Sequence, residues 1–157
     1  MFRPQRRFAS QREPHAAALA ALARGEFTDA ENQFTALLGS PTDDVQRAFL
    51  LNKRGVARIG LANAASARED FEAALACVAK YPPALTNLGN LLLEAGDIDA
   101  AIVRYEAAIA ADERYALAHF NLGVAYKRAG RFAEAVAALR RAQRFEKPNA
   151  ATGRRRS

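Results

Sequence analysis

The chain has no tryptophan, one cysteine, one methionine and two histidines among its 157 residues. Each scarcity excludes something. A single thiol, Cys77, cannot form an intramolecular disulfide. His15 and His119 alone are too little material for a metal cluster. β-Branched residues are few, which disfavours a sandwich or barrel of strands. No apolar run approaches the roughly 18 to 20 residues that a membrane-spanning helix needs. No Gly-rich phosphate loop follows a strand-like segment. Chemistry built on His, Cys, a metal or a nucleotide has no footing in such a sequence, so neither an enzyme activity nor a cofactor is expected.

Alanine is abundant instead, at 38 residues. It is the best helix former, and the length suffices to bury a core without disulfide or metal staples. The expected class is all-α.

The formal net charge of +6 is unevenly spread. Arg3, Arg6, Arg7 and Arg12 lie in a start without acids, and Arg154, Arg155 and Arg156 close the chain. From Glu13 to Glu113 there are 15 acids against 8 bases, whereas from Arg114 to Gly153 there are 8 bases against 2 acids. The body is thus acidic over most of its length and basic towards its C-terminus. Such asymmetry can orient an acidic partner or favour head-to-tail self-association. The first residues, MFRPQRRFASQR, lack the apolar stretch of a secretory signal. They read as a disordered basic arm over 1–10 and loosely resemble an organellar transit peptide. The absent signal points to the cytoplasm, and 150–157 reads as a second disordered basic tail.

A period of 34 residues organises what lies between the arms. Leu88-Gly89 recurs as Leu122-Gly123, and Gly55 precedes Gly89 by the same step. Gly96 pairs with Gly130, Ala101 with Ala135, and Ala108 with Ala142; Phe71, Tyr105 and Leu139 follow the same interval. The units are 48–81, 82–115 and 116–149. A weaker unit, 11–47, carries Gly25, Phe27, Ala30, Phe34 and Leu37, and its three extra residues are expected to lengthen the loop 39–44. The Asp residues ending that loop suit a helix cap, as does Asp97.

These residues resemble the tetratricopeptide repeat family: Leu-Gly on a first helix, a turn glycine, then small, large and small residues on a second helix. The resemblance runs over 11–149 and implies four helix-turn-helix repeats stacked as an α-solenoid with a right-handed superhelix. Repeat two departs from the pattern, with Arg54 for the leucine, Arg58 for the aromatic and Ala62 for the turn glycine. Repeat one has Ala17-Ala18 in place of Leu-Gly. Those changes put close helix packing there in question.

The family implies a concave groove lined by the first helices. Repeat two would offer Phe49, Asn52, Lys53, Val56 and Ile59; repeat three Thr86, Asn87, Asn90, Leu93 and Glu94; repeat four Leu117, Phe120, Asn121, Val124, Lys127 and Arg128. The asparagines can pair with the backbone of an extended peptide; alternatively they simply face water. The chaperone-carboxylate clamp of some members is not matched, because its positions fall on Asn52, Val56, Asn87, Leu117 and Asn121 without the cations. A second expected surface is the end of the stack. No solvating helix follows the last repeat, and Val136, Arg140, Arg141, Arg144 and Phe145 would form an edge that either arginine stems or another chain completes.

The acid pairs Asp43-Asp44 and Asp112-Glu113 read as capping or solvated charge, Glu69-Asp70 as a solvated helix face, His119 as a packed residue, and Cys77 as an inert thiol. The leading expectation is a protein-protein interaction module, an adaptor, assembly factor or accessory subunit. The alternative is nucleic-acid or anionic-membrane binding through the arginine tails.

Overall fold

A computed structural model describes residues 15–40 and 42–146. The expected basic arm 1–10 and tail 150–157 lie outside the described residues. Eight helices are present among the described residues: α1 Ala16–Ala23, α2 Phe27–Leu38, α3 Asp44–Gly60, α4 Ala64–Cys77, α5 Pro82–Glu94, α6 Ile98–Ala111, α7 Ala116–Arg128 and α8 Phe132–Glu146. Each packs on the next, and the only further packing of note joins first helices, α3 to α5 and α5 to α7. This is the neighbour-only arrangement of a solenoid.

The helix turns repeat in detail. Gly25, Gly96 and Gly130 sit at φ +75°, +85° and +75°, and Ala62 takes the same place at +58°. At each turn the N–H of the following residue returns to a carbonyl five residues back: Glu26 to Ala21, Asn63 to Arg58, Asp97 to Leu92 and Arg131 to Tyr126. This closes the last turn of the first helix in a Schellman pattern. The side chains of Asn63 and Asp97 then cap α4 and α6 by accepting from Ser66 and Ala100 N–H groups.

The Leu-Gly positions work by close approach. A Cβ on Gly55 would lie 2.5 Å from Phe71 Cε1, and one on Gly89 2.5 Å from Tyr105 Cε1. The partner aromatic thus lies directly on the backbone of the first helix, with no room for a side chain between. Between these ring contacts the core is largely alanine, with Ala21, Ala30, Ala57, Ala67, Ala74, Ala101 and Ala108 fully enclosed.

Two expectations need correcting. The extra residues of unit 11–47 lengthen α3 rather than the loop: α3 has 17 residues against 13 in α5 and in α7. The cause is Asp43, whose carboxylate accepts the Gln46 N–H at 2.7 Å and starts the helix a turn early. Asp70, read as part of a solvated face, is only 3% exposed. It holds Arg54 through two hydrogen bonds of 2.6 and 3.0 Å and Arg58 at 3.0 Å, and Arg58 also reaches Glu31 at 2.8 Å. The two arginines that break the family pattern are therefore paired, and the Asp70 bond raises the Arg54 pKa further above its ordinary value. An ion-pair cluster across α2, α3 and α4 stands where repeat four packs Leu122 and Ala138 together.

Candidate functional site

The predicted asparagines do converge on one face, but mainly on each other. Asn87 Nδ2 donates to Asn52 Oδ1 at 2.9 Å, and Asn121 Nδ2 donates to Asn90 Oδ1 at 2.8 Å. Tyr105 Oη donates to that same Asn90 oxygen at 2.8 Å. The amides thus link consecutive repeats, two to three and three to four. Asn52, expected to face the groove, is 3% exposed because α5 lies over it. Thr86 at 0% and Leu93 at 8% are likewise packed rather than presented. Asn87 and Asn90 still line a small cavity of about 120 Å³ with Val56, Ile59, Leu91 and Glu94. Among the described residues, the carbonyl oxygens of Asn87 and Asn121 and one N–H of each have no hydrogen-bond partner. Burial pushes the Tyr105 phenol up to about 12.

The cations of the groove are distributed around these amides. Lys53 lies over the Phe49 ring, 5.6 Å from its centre. Arg128 Nη1 donates to the Leu93 carbonyl at 3.2 Å, tying repeat four to repeat three. Lys127 is exposed, and Val124 is half-buried against the core of repeats three and four.

A broad concavity lies at the end of the stack. It encloses about 830 Å³ and is walled by α7 and α8, with Leu117, Phe120, Val136, Leu139, Arg140 and Gln143 among its lining residues. Leu117, Phe120 and Val136 are 48%, 50% and 48% exposed. The edge residues predicted together do not all share this face. Arg140 lines the apolar groove, whereas Arg141 lines a separate cleft between α6 and α8, beside Glu106, Glu113 and Glu134. Arg144 is exposed. Phe145 turns inwards: its ring meets His119 at 5.3 Å between centres, with Arg114 over it at 5.9 Å. It closes one side of the end and leaves the other open. His119 is buried, as its repeat position suggested, and its Nε2 meets the Glu113 carbonyl at 2.9 Å. Arg140, Arg141 and Arg144 make no ion pair among the described residues, whereas Arg131 is paired with Glu134.

The arginine tails, Arg3, Arg6, Arg7, Arg154, Arg155 and Arg156, lie outside the described residues. Among the described residues no helix is long and apolar enough to cross a membrane. Nor do three or more His, Cys, Asp or Glu side chains gather there to hold a metal ion.

Two tetratricopeptide repeat family models match the sequence, over residues 55–80 and 86–151. The chain is a tetratricopeptide repeat protein. Solved structures share its fold at low identity. A crystal structure of MamA aligns with a TM-score of 0.67 and 24% identity over 82% of this chain and 74% of that one. A second MamA structure aligns at 0.66 and 23% identity, over 89% and 75% of the two chains. YrrB, described as a TPR protein with an unusual peptide-binding site, aligns at 0.63 and 20% identity over 84% of this chain and 66% of that one.

Proposed function

We propose that this chain is a non-enzymatic protein-interaction module, an adaptor, assembly factor or accessory subunit that holds a segment of another protein. The carrying observation is the groove at the end of the stack, where Leu117, Phe120 and Val136 stand about half exposed beside Arg140, which has no ion-pair partner among the described residues. Bulky apolar side chains in such a setting contribute binding by leaving water, and Arg140 beside them favours partners that carry an acid. The concave face is the second surface of the same reading. The free polar edges of Asn87 and Asn121 offer an extended segment one donor and one acceptor per repeat. The YrrB comparison supports peptide capture by this architecture without identifying a peptide for this chain.

A nuclease-treated pull-down from native lysate with the full chain tests the reading. We expect one or a few proteins to be retained. Phe120→Ser with Val136→Ser is expected to release partners of the end groove, and Asn87→Ala with Asn121→Ala those of the concave face. Retention unchanged by both pairs would overturn the assignment of these surfaces. Retention that disappears with nuclease, or on replacing the six tail arginines by alanine, would move the function to the arms and to nucleic acid or anionic membrane.

A further inference from the structure

The repeat register specifies what the end groove lacks. One period before Phe120 and Val136 stand Thr86 and Ile102, which are 0% and 5% exposed, against 50% and 48% for the later pair. The difference is α7, which lies over α5 and α6, while no described helix lies over α7 and α8 in the same way. The groove therefore has the shape of a seat for one more first helix. Two charge reversals between repeats three and four alter that seat. Glu106, which accepts the Tyr126 hydroxyl at 3.1 Å, is replaced one period later by Arg140. Glu94 is replaced by Arg128 in the same way. A helix arriving at this seat meets the Arg140 cation where α7 met the Glu106 carboxylate.

Neither terminal segment of this sequence has the composition of a suitable occupant. Residues 147–157, KPNAATGRRRS, contain no leucine, isoleucine, valine, methionine or aromatic residue. Residues 1–12 carry Phe2 and Phe8 but also four arginines and no acid, so like charge opposes them at this rim. A second copy stacked head to tail would present α1, AAALAALA, whose outward residues Ala17 and Ala20 are too small to fill a groove of about 830 Å³. Resting on the interaction-module reading, we propose that the groove receives an amphipathic helix of a different protein, with a bulky apolar ridge and an acidic flank. It lies where a fifth first helix would lie, its ridge on Leu117, Phe120 and Val136 and its acids against Arg140 and Arg128.

The probe is a lactam-stapled, fluorescein-labelled peptide copying residues 115–129, because α7 already fits this kind of seat. The acidic form carries Tyr126→Glu and Arg128→Glu, which place carboxylates opposite Arg140 and Arg128. The basic form keeps Arg128 and carries Tyr126→Lys. Fluorescence anisotropy with the full chain at low salt is expected to show saturable binding of the acidic form, at least about tenfold tighter than the basic form, with the gap narrowing at high salt. Val136→Glu, an exposed change checked by an unaltered circular dichroism spectrum, is expected to abolish that binding. Arg140→Glu is expected to reverse the preference between peptides. Equal binding of both forms, or binding indifferent to Val136→Glu, overturns the proposal. So does a homodimer in light scattering that Val136→Glu dissociates, since the occupant is then a second copy. A lysate partner lost with Val136→Glu while the acidic peptide has no advantage overturns the helix assignment alone. Absence of both partner and peptide overturns the interaction-module reading with it.

Discussion

Asp70→Ala is expected to destabilise this protein by about 3 kcal/mol, and adding Arg54→Leu is expected to recover most of the loss. Asp70 is 3% exposed and accepts from Arg54 at 2.6 and 3.0 Å while Arg58 stands 3.0 Å away. Removing the carboxylate leaves the Arg54 guanidinium, 17% exposed, without its main counter-charge. Breaking a buried pair from one side costs about 3 to 5 kcal/mol, and the partial solvent access of both arginines places this case at the low end. In a chain of this size that lowers the melting temperature by about 6 to 12 °C. The double variant is not arbitrary. Two periods on, the positions of Arg54 and Asp70 hold Leu122 and Ala138, which pack together in the core of repeats three and four. Arg54→Leu with Asp70→Ala installs that apolar pair in repeat two, and Arg58 keeps Glu31. The double variant is expected to lie within about 1 kcal/mol of the wild type, giving a coupling energy of at least about 2 kcal/mol. Urea unfolding of the four proteins in the cycle measures it. Strictly additive losses would refute the claim that the pair replaces an apolar contact.

Other changes probe the same logic elsewhere. Ala62→Gly relieves a left-handed alanine at φ +58°, and we expect a gain of about 0.5 to 1 kcal/mol in thermal or urea unfolding; a loss would mean that the alanine contributes packing the turn depends on. Gly89→Ala drives a Cβ to 2.5 Å from the Tyr105 ring, and an expected cost of about 1 to 3 kcal/mol is read from the same assay. Tyr105 titrates near 12 against 10.0 for a free phenol, so its contribution to stability is complete below about pH 10 and fades as pH rises through 12. Tyrosinate absorbance is expected to show a last step that Tyr105→Phe removes; a wild-type curve finished near pH 10 would contradict that.

The period made most of the fold legible, because each repeat performs the same packing task with the same residues. Gly89 with Tyr105 and Gly55 with Phe71 are one contact written twice, and the turn glycines mark helix ends through a backbone requirement that few residues satisfy. Reading failed where one side chain substituted for another's role. Arg54 and Arg58 looked like packing defects because their partners, Asp70 and Glu31, lie on other helices. The signal was nonetheless present: Arg54 and Asp70 occupy the register of Leu122 and Ala138, so opposite charges at two contacting positions pointed to a pair. The asparagines misled differently. Sequence alone gives no sign that successive amides sit close enough to satisfy one another. The inward turn of Phe145 onto His119 depends on side-chain geometry that no spacing rule supplies.

The amide rungs also bear on how such an array bends. Asn52 to Asn87 and Asn90 to Asn121 span successive repeats on the inner side of the curve, each with a donor from the later repeat. The alanine junctions elsewhere are apolar contacts without a preferred direction. Hydrogen bonds differ, since they weaken steeply once length or angle departs from the optimum. The stack therefore carries directional clasps along the line of amides and non-directional packing elsewhere. Uncoiling it by force would proceed in discrete steps, one clasp at a time, and a bound segment that bridged two clasps would act as a splint.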